Sequence, residues 1–414
     1  MTTSKRAVLA LCILGFTMYL AGGITTPSIA YIAHSYPEFS EYTVSTLITM
    51  PGIIALIVSF FVGPLVLKFN KKYLLMFSVS MTLIYFSVFS FAGGRGPLSL
   101  LMVAAGFLGI HRGAGSALVN SIIGEFVPPE KRAQTIALTG SVMQAGSGLI
   151  AIIAGWIAAG NDGADWPQAH YLGFLSIITL AVFAFLMPKR PAAPVLPDSP
   201  EGIEQAGEKP EPVFETIKQG FRRIPRRVYL IMTVHCIYAV CMIAISLYTS
   251  LYVITVHELG TSVEAGLVIS TMTFISVAVG MTYFVWGKLL GRWIVPVGYV
   301  LSIFGFIVKM AVTSHIAGAF IAAMIIGIGW NLTNPYVSSQ VMSLSPQKMI
   351  PISISIHLGI QNLGMFLAPH FLRVAGGVFG GGVNGAYTVA IIVIPLCALA
   401  AVFLFAKKPR GTLT

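Results

Sequence analysis

Arg112 is the side chain in this sequence whose chemistry most needs an explanation. It lies near the middle of residues 98–124 (LSLLMVAAGFLGIHRGAGSALVNSIIG), a run otherwise apolar or small. As a helix rising about 1.5 Å per residue, the run is about 40 Å long, enough to cross a hydrocarbon core of about 30 Å. A charge facing lipid at that depth costs about 2.5–3.5 kcal/mol on insertion scales. Turning the guanidinium inward, to a wet cavity or a bound anion, is cheaper. The alternative is a structural arginine that ties helix ends together.

Other polar groups sit in apolar runs. His235 and His357 each lie about eight residues from a run's end, roughly 12 Å deep by helix rise. Histidine changes charge near neutral pH, so each is a candidate proton carrier or substrate contact; the competing role is core packing. His111, about 100° around the helix from Arg112, is expected to pack. Asn331 and Asn334 stand three apart on one helix face beside Pro335. With Gln361, Asn362, Gln144 and Asn120 they are amides that must either bridge helices or line a cavity. Tyr19, Tyr248 and Tyr252 offer hydroxyls, and Lys309 is close enough to the end of its run to snorkel.

The 14 acidic residues are expected outside the apolar runs. A buried cation without a buried carboxylate must find its counter-charge elsewhere, and an anionic substrate supplies one. No Walker-type phosphate loop is present, so ATP is not the direct energy source. No His-Glu-x-x-His or Cys-x-x-Cys pair occurs, and Cys12, Cys236, Cys241 and Cys397 read as core packing. No enzyme constellation, metal site or cofactor is expected.

The elements that must position these groups follow from composition. Of 414 residues 56% are hydrophobic and 9% charged, with a mean hydropathy of +0.85; soluble proteins carry about 25% charged residues. Twelve runs have spanning length: 7–35 (interrupted by Gly22, Gly23 and Pro27), 43–67, 73–92, 98–124, 134–159, 168–187, 228–256, 263–287, 293–313, 316–342, 349–372 and 385–406. The fold class expected is an all-α membrane protein of twelve transmembrane helices in two pseudo-symmetric six-helix bundles, residues 1–187 and 228–414. Between them, the proline-rich, charged segment 188–227 reads as a linker, with 214–224 as an amphipathic surface helix or a disordered tether.

The net charge of +11 reflects topology and not a nucleic-acid partner. Lys5, Arg6, Lys68, Lys71, Lys72, Lys131, Arg132, Lys288, Arg292 and Lys407 fall in alternate connections or termini. Glu38, Glu41, Asp162, Asp165, Glu258 and Glu264 fall in the opposite ones, where Arg95 and Arg373 are the only bases. Cytoplasmic connections are enriched in Lys and Arg, so both termini are expected in the cytoplasm, with the first run retained as a span.

An internal repeat links the halves. Gly63-Pro-Leu-Val-Leu-Lys closes the second run and Gly287-Lys-Leu-Leu-Gly-Arg the eighth; Pro129-Glu-Lys-Arg and Pro346-Gln-Lys-Met follow the fourth and tenth. On that alignment Gln144 falls opposite Gln361.

Over essentially its whole length the chain resembles the major facilitator superfamily. That family's loop between helices 2 and 3 reads Gly-x-Leu-Ala-Asp-Arg-x-Gly-Arg-Lys, and here residues 63–72 read GPLVLKFNKK. Gly63, Leu65 and the bases Lys68, Lys71 and Lys72 match, whereas Leu67 replaces the acid and Asn70 the second glycine. Gly287 and Arg292 belong to the corresponding loop of the second half. Arg112-Gly113-Ala114-Gly115 looks like the family's Arg-Gly-x-Gly motif, whose arginine faces the central cavity and is often tied to proton coupling. The Gly-Pro motif in helix 5 of the drug/proton antiporters is absent.

The activity expected is secondary transport of a small organic anion, such as a carboxylate, across a bacterial cytoplasmic membrane by a monomer. Arg112 would hold the charge, and coupling would be to protons or to a second anion. The alternative is a proton-driven efflux carrier for amphipathic or lipid-like compounds, with Met and Phe side chains forming a yielding cavity. A receptor or scaffold is a third, for which the extramembrane parts are small.

Overall fold

The computed structural model describes residues 3–127, 129–188, 224–345 and 350–406. The segment 189–223 with its expected surface helix, the repeat element at 346–349 and the basic end 407–414 lie outside the described residues. The described residues are helical, with no strand. In bilayer hydrocarbon each helix bonds its own backbone, which is why runs of this composition adopt no other form.

The first crossing is α1 (Thr3–Met18) and α2 (Leu20–Ser35), followed by α3 (Glu41–Lys68), α4 (Lys71–Ala92), α5 (Leu98–Phe126) and α6 (Pro129–Ala158). A short turn, α7 (Trp166–Ala169), and a 3-10 segment lead into α8 (Leu175–Leu186), completing the sixth. After the undescribed segment come α9 (Arg226–Leu251), α10 (Ser262–Met281), α11 (Tyr283–Leu290), α12 (Ile294–Ala311), α13 (Ile316–Leu344), α14 (Ile350–Gly377) and α15 (Gly382–Ala406). Among the described residues eleven candidate spans are both long and apolar enough to cross a membrane. A further long helix, α14, has 28 residues, about 42 Å at the helical rise, and carries Ser353, Ser355, His357, Gln361 and Asn362.

Local signals start and break these helices. Ser40 caps α3 by accepting from the Thr43 amide, Asn70 caps α4 through Lys72, and Thr261 and Glu264 form a capping box on α10. The interruption of the first crossing falls at Tyr19 (φ −109°, ψ 14°), ahead of the expected Gly22, Gly23 and Pro27. Pro27 continues inside α2, where its carbonyl accepts a hydrogen bond from the Ser250 hydroxyl at 2.8 Å. The eighth crossing bends at Thr282, between α10 and α11, and ends at Gly291, whose φ of 49° favours glycine. Glu264 corrects the expectation that acids lie outside the spans, since it falls in the first turn of one. There its carboxylate accepts from the Thr261 amide and hydroxyl at 2.7 Å, which explains how an acid is accommodated at a span's edge.

The connections divide by charge into a basic end and an acidic end. At the basic end Arg6 donates to the carbonyl of Phe185 and Arg227 to that of Leu404, near the last turns of the sixth and twelfth crossings. One contact is thus made twice, once on each side of the chain's internal repeat, and both place a cation at the negative end of a helix dipole. Lys72 likewise donates to the carbonyls of Ala184 and Met187, and Lys71 pairs with Glu125 at 2.9 Å.

The first six crossings meet the last six along close seams of small residues. A Cβ on Gly266 would stand 2.5 Å from the Ala151 carbonyl oxygen, and one on Gly155 2.5 Å from that of Ser262. Gly52 of α3 abuts the Asn362 carbonyl of α14 in the same way. Such glycines let backbones approach where lipid offers no hydrophobic drive to associate. Hydrogen bonds reinforce the seams toward the acidic end. The Ser262 hydroxyl donates to Gly155 O (2.6 Å), and the Ser250 hydroxyl accepts from the Ala30 amide (3.4 Å). Away from the seams, Gly22, Gly140 and Gly287 have no atom within 4 Å of a would-be Cβ.

Gly266→Val is therefore expected to force α6 and α10 apart and lower stability by about 1–3 kcal/mol, as overpacking does. Gly287→Ala, in open space, is expected to leave the thermal midpoint unchanged. Thermal unfolding of the two variants in detergent checks both.

Candidate functional site

Between Thr17 and Ala30 the first crossing is buried except at Tyr19 and Gly22, which stand three residues apart on one face. That face borders an interior gap. The Tyr19 hydroxyl meets the Ser116 hydroxyl of α5 at 3.2 Å. Arg112, Ser116 and Asn120 follow at intervals of four on α5, all half-buried, while Gly113, Ala114, Gly115, Leu118 and Val119 between them are buried. The stripe is polar, and small residues fill the face packed on α3, where Gly109 and Gly113 touch Pro51 and Ala55.

Arg112 Nη1 donates to the carbonyl of Ile48 at 3.2 Å. No carboxylate lies within 4.0 Å of it among the described residues, where the ion pair between side chains is Lys71–Glu125 at the basic end. A guanidinium has five N–H donors; a single carbonyl leaves most of them for a ligand. His111 turns the other way, as expected, with its ring nitrogens near Ser78 Oγ (3.3 Å) and Met18 O (3.2 Å).

The last six crossings hold a second polar group. Asn334 Oδ1 accepts from Gln361 Nε2 at 3.3 Å and lies 3.4 Å from His235 Nε2; both amides are half-buried. His235 Nδ1 is 3.2 Å from the Tyr299 hydroxyl. These distances suit a neutral ring that carries its proton on Nε2 and accepts from Tyr299 at Nδ1. His235 stacks on Trp330 (centroids 5.9 Å apart, 17° between planes) and on His357 (5.7 Å, 27°). His357 has no hydrogen-bond partner at either ring nitrogen. Asn331 Nδ2 approaches its own helix at Gly327 O, 3.5 Å away.

The expected site residues thus separate. Tyr19, Arg112 and Asn120 share one polar stripe; Gln144 on α6 is half-buried, with no side-chain hydrogen bond among the described residues. Asn334, Gln361, His235 and His357 form one cluster. His235, His357 and Tyr248 do not open onto the gap, since they are at most 1% exposed. The neighbouring crossings close over them, because ring faces gain contact in the bundle core; His235 meets Trp330 and His357 there, although His357 leaves both ring nitrogens without a hydrogen bond. Lys71, Lys72, Gly287 and Arg292 lie at the basic end, where Arg292 stacks on Trp293. Gly63 and Lys68 fall in the last turns of α3.

Lys309 does not snorkel. It is 1% exposed, donates to Thr249 Oγ1 at 2.9 Å, and stands 4.8 Å and 5.0 Å from the ring centroids of Tyr252 and Tyr387. The ring faces and one hydroxyl solvate the amine inside the bundle, so reaching for the headgroups gains it nothing. Tyr252, a candidate hydroxyl donor to substrate, instead donates to the Lys309 carbonyl at 2.7 Å, where α9 passes into a π-helical turn. Sequence spacing carried no sign of Ser116, Tyr299 or Ser353, since a serine or tyrosine in an apolar run reads as packing.

The model of the Major Facilitator Superfamily matches residues 11–369. The chain belongs to that superfamily of membrane transporters. Among solved structures it is similar to a D-xylose–proton symporter, with a TM-score of 0.71 and 15% identity over 98% of each chain. It is also similar to the peptide transporter POT in complex with sulfate, with a TM-score of 0.70 and 12% identity over 97% of this chain and 94% of that one. At such identities the likeness is one of fold. This transporter is a multi-pass membrane protein.

The Lys309 cage makes an asymmetric prediction. Thr249→Val leaves the amine without its oxygen acceptor and is expected to cost about 1–3 kcal/mol of stability. Lys309→Met removes the polar group together with its need for partners and is expected to melt no lower than the parent protein. Thermal unfolding of the two variants in one detergent compares them.

Proposed function

We propose that this protein is a secondary active transporter of a small organic anion, with Arg112 as the counter-charge at the binding site. The observation that carries the reading is a half-buried guanidinium held by one backbone carbonyl, with no carboxylate in reach among the described residues. An unpaired charge at low dielectric is expensive, and a carboxylate cargo removes that expense each time it binds. Two parallel N–H donors match a carboxylate's two oxygens, so Arg112 orients the cargo as well as attracting it. Tyr19, Ser116 and Asn120 on the same stripe, with Gln144, Asn331, Asn334 and Gln361, contribute hydroxyls and amides to the rest of the molecule.

Residues 1–187 and 228–414 act as two halves that rock about this site, joined by the 188–227 linker. The glycine seams and the serine bonds toward the acidic end, with open space beside Gly22 and Gly140, support a state closed at the acidic end and open at the basic one. The basic end faces the cytoplasm of a bacterial cell by the distribution of Lys and Arg. Lys71–Glu125 supplies an ion pair at that end although Leu67 stands where the family loop has its acid. The protein works as a monomer, coupled to protons or to a counter-anion.

Two steps test this. A thermal-shift panel of mono- and dicarboxylates on the purified protein identifies an acid that raises the melting point by mass action. Uptake of that acid into proteoliposomes is then expected to fall about ten- to hundredfold in Arg112→Gln and in Arg112→Lys, because Lys lacks the planar fork. Normal uptake by Arg112→Gln would reduce the arginine to a structural role.

A further inference from the structure

His357 is fully buried with neither ring nitrogen engaged, and a second orphan lies one helical turn away, the buried hydroxyl of Ser353 on the same face of α14. Two unsatisfied polar groups set four residues apart make a polar spot that packing does not explain. The His357 ring stacks on His235, which also stacks on Trp330. The amides of Asn334 and Gln361 stand beside His235 and, unlike the two rings, are only half-buried. Ser353 is near the start of α14, at the basic end. The cluster therefore runs from the basic end, through two imidazoles, to a pair of half-buried amides.

We propose that His235 and His357 form a single proton-binding site, closed off from the gap by the Asn334–Gln361 amide pair, and that one proton taken up there drives each transport cycle. This rests on the reading of the chain as a secondary transporter and replaces its choice of couplings with one. The proton forms an N–H bond at His357, which has a free lone pair, or at His235 Nδ1 if the Tyr299 hydroxyl rotates away. It comes from water on one side and leaves to water on the other, and no other bond forms or breaks.

Occupancy stops at one because two imidazolium rings stacked at 5.7 Å repel each other, and no carboxylate is at hand to offset the second charge. A single charge is tolerated, since the face of Trp330 lies against the stack and attracts a cation. The other titratable groups around the pair are thiols and phenols and include no carboxylate or amine: Cys236 and Tyr238 on α9, Tyr299 on α12 and Cys397 on α15. From α13 come Trp330 and Asn334 and from α14 Gln361, and α2 contains no Asp, Glu, Lys or Arg. A ring with no partners gains most from becoming wet, so protonation favours the arrangement in which the amide cover has parted.

Histidine-labelled full-length protein in nanodiscs, followed by 15N NMR between pH 8.5 and 5.0, counts the proton. The parent protein is expected to bind one more proton than the His235→Gln/His357→Gln double variant, and each single variant is expected to keep one. A difference of zero would overturn the site, and a difference of two would overturn its single occupancy. If the double variant does not fold, the parent spectrum still decides, because two rings sharing a proton shift together to one combined protonation. Arg112→Gln is expected to keep the proton uptake while losing stabilisation by the acid found in the thermal-shift panel. Proton uptake without any acid binding in the parent would sink the anion reading alone, and acid binding without proton uptake would sink the histidine site alone.

Discussion

Hydrocarbon offers no hydrogen-bond partner, and every polar group this chain carries into the membrane must be answered from within the protein or by what the protein binds. Most are answered. His111 has Ser78 and the Met18 carbonyl; His170 has Thr25 and the Trp166 carbonyl; Lys309 has Thr249 and two aromatic faces. A smaller set is left without a hydrogen bond. Arg112 keeps most of its donors, and His357 and Ser353, like Ser90, Ser176 and His257 Nε2, make none from their side chains. Arg112 stands apart as a charge, and His357 and Ser353 as two such groups on one face of one helix.

The two groups sit on opposite sides of the repeat and differ in kind. Arg112 is a permanent charge on a half-open stripe, suited to a ligand that comes and goes. The histidine stack is closed, neutral and lined by rings, suited to a single proton and little else. Alternating access needs both to sense the same rearrangement. The seams provide the means: α3 and α14 meet at Gly52, so the helix that receives the Arg112 bond also touches the helix that carries His357 and Gln361. Glycine against backbone is a contact that slides or parts without repacking large side chains.

The ends of the bundle are built differently. Toward the acidic end, serine hydroxyls cross from one set of six crossings to the other. At the basic end, the cations of Arg6, Lys72 and Arg227 bind helix C-terminal carbonyls within their own set. Bonds within a set hold it rigid while leaving it free to move against the other.

Much of the architecture was legible in the sequence. Hydropathy summed over about twenty residues averages out local error, and each helix satisfies its own backbone wherever it lies. The positions of the crossings followed from this, as did the placing of nearly all acids at their edges; Glu264 is the exception, at a cap. The isolation of Arg112 from carboxylates was also implied, because a residue at mid-depth cannot reach acids confined to the ends. The rotation of each helix was not legible. Helices apolar on nearly every side carry no stripe to show which face is buried, so for His235, His357 and Tyr248 a cavity role and core packing both stayed open, and Lys309 read as reaching for the surface. Only packing against several neighbours at once decides which way a side chain turns, and those neighbours are far apart in the chain: Tyr299 against His235, Tyr387 against Lys309, Trp330 against the histidine stack.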